Sequence, residues 1–280
     1  MLLITGATGN VGRELIAILA ERSADMRLLV RNPARIVAST KHVVADLDDP
    51  ATLPAAFDGV DKLFLLTPGI GLRQTENAVT AARAANVGHV VHLSSSNVLG
   101  DPMPAMGRWH HNREELIRAA GIPATILRPG AFMTNALDWL PTIRAGGFIL
   151  DPVGPGRYAP IDPADIAAAA AIALTEDGHE GKQYVLTGQQ ALTVAEQART
   201  LATAIGRHIT VRPVATPEEA VRSRFPNGAP PPLAAALIEG FTLMRADTTG
   251  FRTDTIHRLL GRPAGTFTEW CTRNAHRFSS

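Results

Sequence analysis

Short apolar runs and helical spacings alternate along the first half of the chain. Residues 2–5, 26–30, 42–45, 62–66, 89–93 and 125–127 are dense in aliphatic side chains and lack the in–out alternation of a half-exposed strand. Such runs suit strands covered on both faces, as in a parallel sheet. Between them lie helix starts. Asn32-Pro33 and Asp49-Pro50 each set a capping side chain before a proline, which fits the first helical position. Pro68, Gly69 and Gly71 break the chain after the fourth run. Repeated strand–helix units imply right-handed crossovers and a doubly wound sheet.

The rhythm changes after Arg128. Pro129-Gly130 reads as a turn, followed by a stretch rich in aromatic residues and Met from Phe132 to Leu140. Asp162 and Asp165 flank a helix start, where the dipole favours acids. Residues 182–186 and 208–211 read as strands, and a helix begun near Thr216-Pro217 is expected to end in the proline-rich segment 226–232. Thr193 with Glu196 and Thr266 with Glu269 match capping boxes. This pattern predicts two lobes: residues 1–150 as the sheet domain, and 151–280 as a smaller, mostly helical lobe whose strand near Lys182 partly rejoins the sheet.

Composition narrows the function classes. Of the 280 residues, 45% are apolar, enough for a large core, and the formal net charge is only +1. A field that weak argues against nucleic acid or an anionic membrane as partner. The single Cys271 excludes an intramolecular disulfide and a cysteine-based zinc site, and suits a reducing compartment, so a cytoplasmic location is expected. The start of the chain lacks a basic, then apolar, leader, and no apolar run nears the ~20 residues of a membrane span. The expected partner is a small-molecule substrate; a homodimer is an open option.

The chemistry-bearing motif comes first in the chain. Thr5-Gly6-Ala7-Thr8-Gly9-Asn10-Val11-Gly12 joins the first strand to the first helix with the spacing G-x-x-G-x-x-G. Gly6 permits a tight turn, Gly9 lets backbone approach a pyrophosphate, and Gly12 lets the helix pack closely. Bare amides and the helix dipole then face the phosphates. The expected fold is an α/β, doubly wound, parallel-sheet Rossmann domain that binds NAD(P). At the end of the second strand stands Val30-Arg31-Asn32-Pro33, without the acid that grips ribose hydroxyls in NAD-selective sheets. The forked donors of Arg31, joined by Arg35 one turn on, suit a 2′-phosphate. NADP(H) is therefore favoured, with NAD(H) the alternative.

With these residues, the segment Gly121-Ile122-Pro123-Ala124-Thr125-Ile126-Leu127-Arg128-Pro129-Gly130, and the tail Leu259-Leu260-Gly261-Arg262-Pro263 followed by Thr266-Phe267 and Trp270, the chain resembles the NmrA-like family of atypical short-chain dehydrogenase/reductases over nearly its whole length. The resemblance implies an NAD(P)H-dependent oxidoreductase that reduces a flat conjugated acceptor such as a quinone. The alternative, second to it, is a non-catalytic NAD(P)-sensing regulator that binds a protein partner. Carried over position by position, Gly6, Thr8, Asn10 and Val11 would meet the pyrophosphate and Asp46 the adenine. Thr67 and Pro68 would border the nicotinamide ribose, Ser94 and Ser95 would end the fifth strand, and Pro129, Gly130 and Phe132 would lie beside the nicotinamide.

The chain departs from the parent superfamily at its catalytic pair. The only tyrosines are Tyr158 and Tyr184, so the usual Tyr-x-x-x-Lys is absent, and the position of its Lys falls on His110. A histidine titrates near neutrality and can pass a proton to a reduced carbonyl; it can equally just bond a ribose hydroxyl. Ser95 sits where open α/β sheets bind ligands and could polarise an acceptor, or simply close the strand. Phe132, Met133, Leu137, Trp139 and Leu140, with Phe241, Met244 and Phe251, could wall a flat substrate or be ordinary core. No metal site is expected, because His110 and His111 lack a third ligand at useful spacing.

Overall fold

The computed structural model describes residues 1–36 and 40–278. The strands are β1 (Leu2–Ile4), β2 (Met26–Val30), β3 (His42–Val44), β4 (Lys62–Leu65), β5 (His89–Leu93), β6 (Ala124–Pro129), β7 (Phe148–Asp151), β8 (Gln183–Leu186) and β9 (Thr210–Pro213). The helices are α1 (Asn10–Glu21), α2 (Leu53–Phe57), α3 (Arg73–Ala84), α4 (Ala105–Ala119), α5 (Leu140–Gly146), α6 (Pro163–Thr175), α7 (Val194–Ile205), α8 (Pro217–Arg224), α9 (Pro231–Arg245), α10 (Thr255–Leu260) and α11 (Phe267–Asn274). The chain divides into two compact units. One comprises Met1–Met103, Gly107–Pro129 and Pro163–Val185; the other comprises Pro104–Met106, Gly130–Asp162 and the chain from Leu186 on. Where one cut near residue 150 was expected, the chain passes between units more than once.

The first unit is built on a seven-stranded sheet in the order β3-β2-β1-β4-β5-β6-β8. Every ladder from β3 to β6 is parallel, and β8 adds at the β6 edge through a bond from Ile126 N–H to the Lys182 carbonyl (2.9 Å). This is the Rossmann order, with its reversal of direction between β1 and β4. The six apolar runs become the first six strands, and Leu3, Ile4, Leu63, Phe64, Leu65, Val90 and Val91 are fully buried. Helix α6 packs against α1. Ala169, Ala170, Ala171 and Ala173 are buried along it, which lets two helices approach closely and explains why 163–185 belong to this unit.

The second unit has a two-stranded parallel sheet of β7 and β9 and a core of Ile143, Ile149, Leu201, Phe267, Trp270, Cys271 and Phe278. The Phe267 and Trp270 rings stack at 5.6 Å. Both capping boxes form, at Thr193/Glu196 opening α7 and Thr266/Glu269 opening α11. The Cys271 thiol is fully buried, and burial pushes it up to about 12.

Two local readings change, and one strand is new. The Asn32 and Asp49 side chains do cap, accepting from Ala34 N–H and Ala51 N–H, but they open single 3-10 turns. Segment 226–232 does not merely end a helix: α8 stops at Arg224, and Pro231-Pro232 open α9, as proline's fixed φ and missing N–H allow in a first turn. Strand β7, where the sequence pattern marks no element, pairs in parallel with β9 from Phe148 opposite Thr210 to Asp151 opposite Pro213.

Candidate cofactor and active site

The glycine turn is the best-defined part of the site. Gly6 has φ +67°, a left-handed conformation that side chains disfavour. Gly9 N–H closes the turn on the Gly6 carbonyl at 2.9 Å. A Cβ on Gly12 would stand 2.2 Å from the Gly6 oxygen and 3.0 Å from Ala7 Cα, so α1 rises directly off the turn only because Gly12 has no side chain. The first intrahelical bond is Arg13 N–H to the Gly9 carbonyl, so the amides of Val11 and Gly12 have no acceptor within the helix. No side chain caps α1, and no acid stands in its first turn. The positive helix end is thus left for an external anion. Thr8 and Gly9 are half-buried and Asn10 is exposed, whereas the Val11 side chain is buried, so Val11 offers only its backbone.

A residue unforeseen from sequence ties this turn to the next loop. Buried Thr5 accepts from Leu66 N–H at 2.8 Å and contacts the carbonyl oxygens of Phe64 and Leu66 at 3.1 Å. It thereby locks the end of β1 to the end of β4, just before Thr67 and Pro68. The Thr67 hydroxyl is buried and meets that of Thr75 at 3.3 Å.

At the end of β2, Arg31 is exposed. Its charge reaches Asp48, whose carboxylate accepts from Gln74 Nε2 (2.7 Å) and Arg73 Nε (2.9 Å). Those bonds, with the charges of Arg73 and Arg31, hold the Asp48 carboxyl below the usual range. The Asp46 carboxylate is turned inward on its own loop, accepting from Asp48 N–H at 3.0 Å.

The ends of β5 and β6 and the middle of α4 form a charged cluster. Glu114 is fully buried; it accepts from Ser94 Oγ (2.6 Å), Arg128 Nε (3.0 Å) and Nη2 (2.5 Å), and Arg118 Nη2 (2.8 Å). Burial alone would raise its carboxyl, but the bonds from Arg128 and Ser94 and the charge of Arg128 hold it below the usual carboxylate range. Ser94 therefore spends its proton on Glu114. Ser95 accepts from Asn97 N–H (3.2 Å) and Asn97 Nδ2 (3.0 Å), which leaves its own O–H to donate elsewhere.

Next to Glu114 on α4, Arg113 is buried and donates from Nη2 to the carbonyls of Gly69 (2.6 Å) and Gly71 (3.2 Å). It pins the glycine-rich loop that follows Thr67-Pro68. His110 sits one turn earlier still. Burial and the Arg113 charge, opposed by Glu114, bring it down to about 4. His92 on β5 is fully buried, bonds the Leu65 carbonyl through Nδ1 at 3.1 Å, and is driven to about 3 by burial and by His110. Both rings are neutral at physiological pH, so His110 is not the ready cationic acid its ordinary pKa suggests. Arg113→Met is expected to raise the His110 pKa, read from the NMR titration of that ring; an unmoved titration would remove Arg113 as a cause.

Neither tyrosine replaces the missing phenol. Tyr158 donates to Gln197 (3.3 Å) and is raised to about 12 by burial, and Tyr184 pairs with His179 Nδ1 (2.8 Å). Along the remaining expected positions, Pro129 ends β6, Gly130 N–H bonds the Leu186 carbonyl (2.9 Å), and Phe132 bridges to Ile161. Met133 is core, and Phe251 is 43% exposed. Arg113 and Glu114 were missed although a signal exists: His110, Arg113, Glu114 and Ile117 follow i, i+3, i+4, i+7 and share one helix face.

Comparison with known proteins decides the family. The model of the NAD(P)H-binding family matches residues 6–177. The chain belongs to this family. Within it the chain falls among the NmrA-like atypical short-chain dehydrogenase/reductases. It is 37% identical to an NAD(P)H azoreductase of Xenophilus azovorans over the whole of both chains. The NADPH-dependent quinone oxidoreductase of Escherichia coli, solved with NADPH, superposes with a TM-score of 0.84 at 31% identity, covering 98% of this chain and 99% of that one. The Citrobacter triphenylmethane reductase, solved with NADP(H), gives 0.82 at 27% identity, with 98% and 99% covered. The protein is an NAD(P)H-dependent reductase, and the non-catalytic alternative gives way to relatives that are enzymes along their full length. Among the described residues, no helix is long and apolar enough to cross a membrane.

Proposed function

We propose that this reductase passes hydride from NADPH, in preference to NADH, to a flat conjugated acceptor of the quinone type. The carrying observation is the turn at Gly6–Gly12, a cradle that a single Cβ would fill, followed by exposed Arg31 where NAD-selective sheets carry an acid. The names of the azoreductase and the quinone oxidoreductase support the acceptor class. When bound, the nicotinamide supplies the hydride.

The chain's residues would do the rest. The amides of Gly9, Val11 and Gly12, with the side chains of Thr8 and Asn10, hold the pyrophosphate against the Gly6 turn. Arg31 meets the 2′-phosphate, and Asp46 borders the adenine through its loop. Thr67 and Pro68, fixed by Thr5 and by the Arg113-pinned loop, border the ribose. Ser94, Pro129, Gly130 and Phe132 line the nicotinamide side. Ser95 O–H donates to the acceptor oxygen, and neutral His110 holds one ring proton for it. A quinone spreads its gained charge over a conjugated system, so weak neutral donors suffice where a simple ketone needs a strong acid.

Oxidation of NADPH with a panel of quinones and azo dyes tests the assignment; tight NADPH binding without turnover on any of them would overturn the acceptor class. Arg31→Ala is expected to weaken NADPH by about 10- to 100-fold, as for loss of a charge-assisted bond, with NADH little changed; equal losses would remove the 2′-phosphate role. With His110 neutral above about pH 5, kcat/KM is expected to be flat through the ordinary histidine range. A limb near pH 6.5 that disappears in His110→Gln would contradict this. The same reading places the protein in the cytoplasm, supported by its one buried thiol, and a homodimer is the simplest assembly; light scattering counts the copies.

A further inference from the structure

Arg113 is a buried cation without an anion. It is 2% exposed. Its bonds run only to neutral carbonyls: Nη2 to Gly69 (2.6 Å) and Gly71 (3.2 Å), and Nε to Gly71 (3.4 Å). Among the described residues no carboxylate pairs with it. The acids beside it on α4 are already matched. Glu114 takes Arg128 and Arg118, and Glu115 takes Arg118, so Arg113, Arg118 and Arg128 face two carboxylates with Arg113 left over. His92 and His110 both feel the Arg113 charge and are neutral, so neither answers it. Burial draws the Arg113 pKa down, yet a guanidinium keeps its proton inside a protein. An unpaired charge withheld from water is costly, and at a ligand-binding edge such a group points to function before stability.

The place of Arg113 in the sheet says which part of a dinucleotide feels it. Strand order reverses between β1 and β4, and a dinucleotide lies across the carboxyl ends of the strands at that reversal. The glycine turn after β1 and Arg31 after β2 take the pyrophosphate and the adenosine half in the reading above. The nicotinamide half then belongs to the ends of β4 and β5. Arg113 holds the loop that leaves β4 and shares one face of α4 with His110. The nicotinamide ring is neutral in NADPH and a cation in NADP+, while the phosphates, riboses and adenine are the same in both.

We propose that Arg113 makes the site distinguish reduced from oxidised coenzyme: its unpaired charge disfavours the nicotinamide cation of NADP+ and spares neutral NADPH. The proposal rests on the cofactor reading above and adds the residue that sets the redox-state preference. Attraction between Arg113 and the coenzyme phosphates acts on both forms alike and cancels in the ratio of affinities. Arg113 thereby favours exchange of spent coenzyme for fresh after each turnover.

Calorimetry on the full-length protein, with no acceptor present, compares NADPH with NADP+. The parent protein is expected to bind NADPH about 10-fold tighter, the order of effect of one unit charge acting through protein. Arg113→Gln keeps an amide donor for the Gly69 and Gly71 carbonyls and removes the charge; it is expected to bring the two affinities together. Arg113→Lys keeps the charge and loses the fork; it is expected to preserve the gap while both affinities fall. A role confined to holding the loop would lower both affinities equally in either variant and leave their ratio unmoved. Equal affinities in the parent protein, a measurement that needs no variant, would overturn the proposal. So would a gap that survives Arg113→Gln or one that is lost in Arg113→Lys. If NADPH still binds in those events, the cofactor reading stands and only the role of Arg113 falls; no heat from either coenzyme with the parent protein would instead sink the cofactor reading itself.

Discussion

Gly12→Ala is expected to lose NADPH binding by at least about 100-fold, measured by calorimetry, with a lowered melting temperature. The added methyl would begin 2.2 Å from the Gly6 oxygen and 2.9 Å from its carbonyl carbon. Both are backbone atoms of a turn already closed by the Gly9–Gly6 bond, so no side chain can swing aside. The helix must shift outward or the turn must open. Overpacking of this kind costs about 1–3 kcal/mol, and the displaced amides are the ones proposed to face the pyrophosphate, which adds to the loss in affinity. Gly9→Ala is the milder control: its Cβ would lie 3.2 Å from the same oxygen, a contact that a few tenths of an ångström relieve. Equal affinities for Gly12→Ala and the parent protein would remove the turn from the cofactor site.

The second large effect belongs to Glu114. Glu114→Ala leaves Arg128, whose side chain is only 12% exposed, without its carboxylate, and also frees Ser94. Breaking one side of a buried pair costs about 3–5 kcal/mol. Urea unfolding is expected to show a loss of that order at neutral pH. The folded carboxyl is held below its unfolded value, so its contribution is complete above the usual glutamate range and fades as pH falls through the lower folded value. The gap between Glu114→Ala and the parent protein should therefore narrow in acid. His92 works in the same direction: with a folded value near 3, it binds a proton on unfolding at any pH between there and its ordinary value, which weakens the fold as pH drops below about 6.5. A gap independent of pH would argue that Glu114 acts by volume and not by charge.

Much of the architecture was readable because the residues that set it act locally. A run such as Leu63-Phe64-Leu65 has no polar face and must be covered on both sides; Gly6 and Gly12, the first and last of the three spaced glycines, answer backbone needs that no other residue meets. The capping boxes were legible for the same reason. Pro231-Pro232 was ambiguous, since proline closes one helix as readily as it opens another, and only the apolar spacing beyond it, from Leu233 to Met244, favours the second choice. The site was harder. His110 stands out in the sequence through the position it occupies, but its low proton affinity depends on burial and on Arg113, and the placement of Arg113 depends on carbonyls 42 and 44 residues upstream. Ser94 looked like a ligand-facing hydroxyl until Glu114, on a helix 20 residues later, claimed its proton. Pairings across such separations leave no trace in local spacing.

The solitary thiol of this protein bears on its proposed trade. Quinones are electrophiles that alkylate thiolates. Cys271 is sealed in the core, and at neutral pH a thiol of pKa about 12 is ionised in roughly one molecule in 10^5. The packing around Phe267 and Trp270 thus leaves a quinone no reactive thiolate to meet on this chain, and slow covalent inactivation by quinones is the expected consequence.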